Sequence, residues 1–227
     1  MAQALKIVFV LYPRVTQLDF TGPYEVLSRM PGADVIVASK DGGNLRSEMG
    51  LCFANLARLA DIQDCDMIMV PGGPGQTEAM LDAEFMAQVK RLGARAQYVT
   101  AVCTGSLILA AAGLLQGKRA GSHWAYRELL AALGAIPDDA RVVRDGNAIT
   151  GGGVTAGIDI ALSIVADIAG AQAAQMVQLM IEYAPAPPFN AGRPETAPPE
   201  IVEEVRRRFA AFASARKQAI EQMTGVG

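Results

Sequence analysis

The chain has 227 residues, of which 51% are hydrophobic and 19% are charged, and its formal net charge is −3. This composition is typical of a globular protein with a large core and excludes a disordered or fibrous chain. The small negative charge, without a basic patch, gives no indication of binding to nucleic acid or to an anionic membrane.

The first half of the chain alternates short apolar runs with helical patterns. LKIVFVLY, near the N-terminus, is too short for a signal peptide and predicts a buried strand. A helix, the strand ADVIVAS, a possible hairpin, the strand DMIMV and a helix over QTEAMLDAEFMAQVKRLG follow. Continuous apolar strands separated by helices predict βαβ units and a parallel sheet that is buried on both faces.

Residues 98–115 form an uncharged run of 18 residues, which is as long as a membrane-spanning helix. The run contains cysteine, threonine, serine and glycine, and we interpret it as a strand at 98–102 that leads directly into a buried helix from about Thr104. We therefore expect a strand-to-helix turn at Cys103 and no membrane span.

Further secondary structure is predicted after this turn. HWAYRELLAALG predicts a helix that ends at Gly134, and ARVVRDGNAIT predicts two short strands around an Asp-Gly turn. Two apolar helices follow, the first after the glycines at 151–153. With the earlier elements, this pattern predicts one α/β domain over residues 1–183.

Residues 184–227 are expected to form a separate C-terminal segment. The proline-rich stretch APAPPFNAGRPETAPPE is incompatible with a helix or a sheet and predicts an extended connector. A last helix should begin at about Pro199, with Val202, Val205, Phe209 and Phe212 along one face. That face is expected to dock on the same domain or on a dimer partner.

Ligands of an open parallel sheet bind beyond the carboxyl ends of its strands. The predicted turns at that edge are residues 13–19, 71–75, 103–105 and 151–155. Neither glycine-rich turn matches a dinucleotide fingerprint, and GLLQGKR lacks the spacing of a phosphate-binding loop. We therefore expect no nucleotide cofactor.

Cys103 is the strongest candidate for a reactive group. At a strand-to-helix turn, the amides and the positive dipole end of the helix favour a thiolate, which is a nucleophile. The alternative is a small buried hydrophobic residue, which is our interpretation of Cys52 and Cys65. The odd number of cysteines leaves at least one thiol free and indicates a reducing compartment, so we expect a cytoplasmic protein.

A nucleophile of this kind needs an acid or a base beside it. His123 is the one histidine of the chain, and a cysteine-histidine-carboxylate hydrolase would have to use it. A lone histidine is more often a packed, hydrogen-bonded residue, so Asp19 is the preferred candidate. Asp19 stands between Leu18 and Phe20 at the start of the first helix, where helix capping is the alternative interpretation.

The segment VCTGSLILAAAGLLQGKRAGSHW resembles the ThiJ/PfpI (class I glutamine amidotransferase-like) superfamily, and the match runs over nearly the whole chain. This resemblance implies a flavodoxin-like three-layer sandwich with a cysteine on a nucleophile elbow. YPRVTQLDFTGPYEVL, the Cys-Thr-Gly turn and IEYAPAPPFNAGRPETAP are similar to the isocyanide hydratases. These are homodimeric enzymes that add water to a small-molecule isocyanide, without a metal or another cofactor, to give an N-substituted formamide.

The resemblance also implies roles for individual residues. Cys103 matches the nucleophile, Asp19 the acid/base carboxylate and Thr104 the residue that lines the site after the nucleophile. Gly72 and Gly73 match a turn with a backbone amide near the developing charge. Because a thiolate and a carboxylate in one small site are not easily both ionised, Asp19 is expected to be protonated and ready to donate.

Two departures from the wider superfamily narrow the function. The intracellular proteases have histidine where this chain has Thr104, and the chaperone and deglycase members have glutamate where it has Asp19. A glyoxalase or deglycase activity remains an alternative. So does a stand-alone ligand-sensing domain, because the sensor domains of some AraC-type regulators share the CTG, AAAGLL and HW pattern, although they continue into a helix-turn-helix module.

Overall fold

A computed structural model describes residues 4–225 of the chain. Within this range the strands are β1 (Leu5–Leu11), β2 (Ala33–Ser39), β3 (Gly43–Arg46), β4 (Cys52–Arg58), β5 (Met67–Val70), β6 (Tyr98–Val102), β7 (Arg119–Ala120), β8 (Ile136–Pro137), β9 (Val142–Asp145) and β10 (Ala148–Gly151). The α-helices are α1 (Gln17–Leu27), α2 (Gln76–Leu81), α3 (Ala83–Gly93), α4 (Gly105–Ala111), α5 (Ala156–Ala169), α6 (Ala171–Met180) and α7 (Pro199–Thr224). Segments of 3-10 helix lie at Leu59–Asp61 and Arg127–Leu133.

In the described range, eight strands form one sheet in the order β3-β4-β2-β1-β5-β6-β10-β9, and β7 pairs with β8 separately. The six inner strands, β4, β2, β1, β5, β6 and β10, run parallel to one another, whereas the edge strands β3 and β9 are antiparallel to their neighbours. In β1, every residue from Ile7 to Leu11 is 0% exposed. Such complete burial requires cover on both faces of the sheet, so the predicted mostly parallel, three-layer α/β sandwich is confirmed.

The helices divide into two layers. Helix α5 contacts α1 and α6, whereas α2 contacts α3, α4 and α7. Strands β1, β5, β6 and β10 are consecutive neighbours in the sheet, and their carboxyl ends point the same way. The turns that follow these four strands therefore lie side by side at one edge, where the open sheet of this class binds ligands.

The uncharged run at 98–115 divides as the sequence predicted. Strand β6 ends at Val102 and helix α4 begins at Gly105, so Cys103 and Thr104 form the connection. In residues 4–225 no helix is both long enough and apolar enough to span a membrane.

Three sequence-based expectations were wrong in detail. The helix expected over residues 76–93 is interrupted at Asp82, whose carboxylate accepts hydrogen bonds from the N–H groups of Glu84 and Phe85 and so caps a second helix. The helix expected after His123 is a 3-10 segment at Arg127–Leu133, although Gly134 does end it with a φ of 80°. Cys65 is buried as expected, but Cys52 is exposed.

Helix α7 begins at Pro199, as the sequence indicates, and its contacts extend beyond the expected apolar face. Val202, Val205 and Phe209 of that face are half-buried, whereas Phe212 is 38% exposed. The buried residues of α7 lie in its C-terminal half and are Arg216, Ala219 and Ile220. The helix contacts α2 and the 3-10 segment that ends at Leu133, so within the described chain it packs on the same domain.

Candidate active site

Cys103 lies on a sharp turn between a buried strand and a buried helix. Its φ of 56° is in the left-handed region that non-glycine residues seldom adopt. The backbone N–H of Cys103 donates to the carbonyl of Gly152, at 3.0 Å. At Gly105 a Cβ atom would lie 2.0 Å from the carbonyl oxygen of Val70, so glycine is required where the turn enters α4. This is the geometry of a nucleophile elbow.

The carbonyl of Cys103 is held as firmly as its N–H group. It accepts hydrogen bonds from the hydroxyl groups of Ser106, at 3.0 Å, and Ser122, at 2.9 Å. Both hydroxyls are buried. A strained residue persists when its surroundings determine its conformation in this way, and such strain concentrates at functional sites.

The surroundings of the Cys103 sulfur act on its pKa in opposite directions. Burial raises the pKa well above its ordinary value, and the nearby charge of Asp19 raises it further. The backbone N–H groups of Thr104 and Val154 lower it. Because burial is the largest effect, the helix terminus does not by itself make Cys103 a thiolate, in contrast to our expectation from its position alone. The side chain needs a base that accepts its proton.

Asp19 is suited to exchange that proton. The side chain is 0% exposed, and Oδ2 accepts a 2.9 Å hydrogen bond from the N–H of Gly72. Burial raises its pKa to about 7, although the Gly72 N–H and the Cys103 side chain lower it. Among residues 4–225, Oδ1 makes no hydrogen bond of regular geometry, and the Cys103 side chain is the neighbouring donor that acts on this carboxyl group. This carboxyl group is therefore poised to gain or lose a proton near neutral pH.

The turn after β5 connects Asp19 to the elbow. A Cβ atom on Gly72 would lie 2.6 Å from the Thr104 nitrogen and 2.8 Å from Oδ2 of Asp19, so no larger residue fits there. Gly73, with a φ of 145°, donates its N–H to the Thr104 hydroxyl at 3.1 Å. Both amides are paired inside the site, so the observed contribution of this turn is to hold Asp19 and Thr104 in place.

Tyr12 joins two of the neighbouring turns. Its side chain is 2% exposed, and its hydroxyl donates to the carbonyl of Pro71 at 2.8 Å. Burial raises its pKa well above the ordinary value, and the charge of Asp19 raises it further. Tyr12 therefore acts as a neutral hydrogen-bond donor that fixes the turn after β1 against the turn after β5.

His123 lies in an aromatic cluster beside the site. Its ring packs on Tyr126, with centroids 5.5 Å apart, and on Phe209, at 5.4 Å. Nδ1 accepts a hydrogen bond from the N–H of Ala125. Burial, with a smaller effect from the charge of Arg216, lowers the pKa of His123 to about 4. The imidazole is therefore neutral at pH 7 and packed, as a lone histidine usually is.

A cavity of about 240 Å³ adjoins the elbow. It is lined by Ser122, His123, residues 152–155, residues 192–195 of the connector and the charged side chains of Arg127, Asp139 and Arg141. A larger cavity of about 410 Å³ is lined by charged residues (Arg14, Lys40, Asp82) and by apolar residues (Leu11, Leu45, Phe85). We assign the smaller cavity to the site, because Ser122 and Val154 both contact Cys103.

The structure brings the predicted residues Cys103 and Asp19 together, but sequence analysis missed much of what holds them. Val154 and Ser122 act on Cys103 through a backbone N–H and a hydroxyl, for which the sequence carries no signal. Arg216 was missed because an arginine in a charged helix is normally solvated. In the described range no group of three or more histidine, cysteine or acidic side chains is arranged to hold a metal ion.

The family model for the DJ-1/PfpI family matches residues 5–167. An isonitrile hydratase of Pseudomonas putida is 50% identical over 219 residues, which cover 96% of each chain. The HTH-type transcriptional regulator CdhR of Pseudomonas aeruginosa is 30% identical over 74% of this chain and 52% of its own. The crystal structure of a ThiJ/PfpI family protein from Pseudomonas syringae superposes with a TM-score of 0.93 at 42% identity, covering 96% of this chain and 90% of that one.

Proposed function

The chain belongs to the DJ-1/PfpI family, and from this premise we propose that it is an isocyanide hydratase, an enzyme that adds water to an isocyanide to give an N-substituted formamide. The observation that carries the proposal is the buried pair of Cys103 and Asp19, in which the carboxyl oxygen Oδ1 makes no hydrogen bond of regular geometry within residues 4–225. A relative of matching length, 50% identical, has this activity in its name.

The first step joins the Cys103 sulfur to the terminal carbon of the isocyanide. Because the pKa of the thiol is well above 9 and that of Asp19 is about 7, the reactive form is the singly deprotonated pair. Asp19 takes the thiol proton as the S–C bond forms, and then donates it to the same carbon. The product is a thioimidate, R–N=CH–S–Cys103, in which the S–H bond has been exchanged for S–C and C–H bonds.

The second step consumes water. Asp19, again a carboxylate, accepts a proton from water while the water oxygen adds to the thioimidate carbon. Asp19 then passes this proton to the thioimidate nitrogen. The resulting tetrahedral species collapses when its hydroxyl proton is transferred through Asp19 to the sulfur and the C–S bond breaks. The formamide leaves, and Cys103 and Asp19 return to their starting protonation. The N–H groups of Thr104 and Val154 stabilise the negative charge on the sulfur both when the C–S bond forms and when it breaks.

The substrate is proposed to occupy the 240 Å³ cavity beside Val154. An isocyanide group is small and linear, so its reacting carbon can approach a buried sulfur while the organic substituent remains in the cavity. The substituent would meet His123, Trp124 and the connector residues 192–195. His123 and Trp124 offer an aryl or alkyl group its apolar contacts, whereas Arg127, Asp139, Arg141, Arg193 and Glu195 line the rest of the cavity. The connector is thereby part of the proposed site.

A ligand-sensing domain is the second candidate, because the regulator CdhR is 30% identical over 74% of this chain. A buried carboxyl oxygen without a regular hydrogen bond lowers the stability of the fold, and such groups concentrate at catalytic sites, which favours the enzyme over the sensor. The two candidates differ in whether the ligand is consumed.

The deciding experiment is incubation of the purified, reduced protein with an aryl isocyanide in water enriched in oxygen-18. We expect the isocyanide to disappear and the formamide to carry one labelled oxygen. A reduced protein that binds isocyanides without consuming them would favour the sensor, and one that consumes no aryl or alkyl isocyanide would contradict the proposed activity.

A homodimer is the second part of the proposal, and exposed apolar side chains support it. Met176, Leu179 and Met180 on α6 are 58%, 81% and 68% exposed, and Phe189 in the connector is 79% exposed. We expect the full chain to sediment as a dimer and a Leu179→Glu, Met180→Glu variant to sediment as a monomer. Gln175→Glu, an exposed change on the same helix, is the control. A full chain that is monomeric at micromolar concentration would contradict this assignment.

The cytoplasm is the proposed compartment. Within residues 4–225 all three cysteines are free, and Cys103 must remain reduced for the reaction. A reducing compartment provides that condition.

A further inference from the structure

Arg216, on the C-terminal helix α7, reaches the back of the active-site turn. The side chain is 3% exposed. Its Nε donates to Oε1 of Gln76 at 2.8 Å, and its Nη2 donates to the carbonyl of Gly73 at 3.2 Å. The guanidinium carbon lies 4.0 Å from the ring centroid of Tyr126, in the geometry of a cation–π contact.

The contribution of Arg216 to stability does not account for this placement. In the described part of the chain no carboxylate lies within salt-bridge distance of Arg216, and its Nη1 is buried without a hydrogen-bond partner. Burying a cation without an opposite charge is costly, and an apolar side chain of similar size at such a position is often neutral or stabilising. The burial of Arg216 therefore indicates a functional role.

The hydrogen bonds around the turn indicate that role. The Gly73 carbonyl is held by Arg216 on one side of the turn. On the other side, the Gly73 N–H bonds to the Thr104 hydroxyl and the Gly72 N–H bonds to Oδ2 of Asp19. A shift of the two glycines would move the N–H group away from the carboxylate, and a carboxylate that loses a hydrogen-bond donor becomes harder to ionise.

We propose that Arg216 is a positioning residue, which holds the Gly72–Gly73 turn so that the Gly72 N–H stays on Asp19. The C-terminal helix thereby sets the pH at which the Cys103 and Asp19 pair becomes reactive. This inference rests on the proposed hydratase activity only where it is tested by the rate of formamide production.

The titrating groups around the pair allow the effect to be measured. Cys103, Tyr12 and the charge of Glu48 face Asp19, and His123, Tyr12 and Tyr126 face Arg216. Burial raises the pKa values of Tyr12, Tyr126 and Cys103, and lowers that of His123 to about 4. A transition near pH 7 is therefore assigned to the pair that contains Asp19, whose pKa is about 7.

The test compares Arg216→Met and Arg216→Lys with wild type in the full chain, and Ile220→Ala serves as a control. Ile220 is 2% exposed on the same helix and its side chain has no hydrogen-bonding group, so its truncation weakens the docking of α7 without removing a hydrogen bond to the turn. Two pH profiles are measured between pH 5 and 9. One is the alkylation rate of Cys103 by iodoacetamide, followed on the peptide that contains it, and the other is the rate of formamide production. Thermal unfolding is recorded for every variant.

For Arg216→Met we expect the midpoint near pH 7 to rise by about one unit in both profiles, and kcat at pH 7 to fall about fivefold as the deprotonated fraction of the pair decreases. Its unfolding temperature should stay at or above that of Ile220→Ala. Arg216→Lys, with one nitrogen instead of a fork, should show a smaller rise of the midpoint. Ile220→Ala should unfold earlier but keep the wild-type midpoint.

A wild-type midpoint in Arg216→Met would overturn the inference, and so would an equal rise in Ile220→Ala. If Arg216→Met does not fold, a wild-type midpoint in Arg216→Lys would overturn it as well. Alkylation requires no isocyanide, so a failure of the hydratase activity is distinguishable from a failure of the positioning role.

Discussion

The turns at the carboxyl edge of the sheet and the C-terminal helix bury polar groups in different ways. In the turns, Asp19 is 0% exposed and Thr104 1% exposed, and the backbone of Gly72 and Gly73 pairs with both. Helix α7 is largely exposed and buries one polar side chain, Arg216, whose hydrogen bonds go back to the turns. In the proposed mechanism the turns hold the reacting groups, and the helix positions the turns.

This difference indicates where changes should abolish the reaction and where they should only adjust it. A reacting atom has no substitute in a site of this size, and a strained elbow tolerates little movement. A residue that acts through another changes a rate or a pKa by a smaller factor. Substitutions at Cys103, Asp19 and His123 test that division.

Cys103→Ala should abolish formamide production, because no other thiol lies at the elbow and the hydroxyl groups of Ser106 and Ser122 are engaged by the Cys103 carbonyl. The exposed Cys52 offers a matched control, since Cys52→Ala removes a thiol that lies outside the site. Product analysis with an aryl isocyanide measures both variants. Formamide production by Cys103→Ala at more than the background rate would exclude the sulfur as the nucleophile and contradict the assignment of the reacting groups to the turns.

Asp19→Asn should slow turnover by about 10²-fold or more, the usual scale for a positioned acid/base. In wild type, the rate should rise through a transition near pH 7, because the pKa of Asp19 is about 7 and the singly deprotonated pair is the reactive form. The variant should lose this transition. The pH dependence of kcat/KM measures both effects, and a variant with the wild-type rate and transition would exclude the proposed acid.

The same variant should be more stable than wild type in alkaline solution. The folded-state pKa of Asp19 is about 7, above its ordinary 3.8, so the native state binds this proton more tightly than the unfolded chain does. Wild-type stability therefore falls as pH rises from about 4 to 7 and stays reduced above, by up to about 4 kcal/mol. Denaturant unfolding at pH 8 should show Asp19→Asn to be more stable, with the advantage gone near pH 4. A constant difference across this range would mean that Asp19 is not buried as a carboxylate.

His123→Phe should have the smallest effect on the reaction, within a few-fold of the wild-type rate, because the proposed mechanism does not use the imidazole. The substitution should instead change the free energy of unfolding at acidic pH. The folded-state pKa of about 4 lies below the ordinary 6.5, so the native state resists protonation and wild type loses stability as pH falls from 6.5 to 4. The variant should lose about 3 kcal/mol less over that interval. If His123→Phe were as inactive as Cys103→Ala, a cysteine-histidine hydrolase would replace the proposed mechanism.

The sheet, and Cys103 as the candidate nucleophile, were predictable from the sequence alone. Apolar runs such as β1 can be satisfied only by burial on both faces, so a parallel sheet followed from composition and order along the chain. Cys103 was recognisable because one uncharged run changes there from a strand pattern to a helix pattern. Asp19 was recognisable because a carboxylate among apolar neighbours needs a reason. These are local properties, which depend on residues close together in the chain.

Which groups lie in contact, and how far their pKa values shift, depends on the tertiary structure. Strand order brings the turns after β1, β5, β6 and β10 together, and only then does the Gly72 N–H reach Asp19, 53 positions away. Burial, not the helix terminus, sets the direction of the Cys103 pKa shift. Arg216 was invisible to the sequence pattern, because its partners Gly73 and Gln76 lie 143 and 140 positions away. Hydrogen bonds and desolvation depend on distance in space, which a local sequence pattern does not contain.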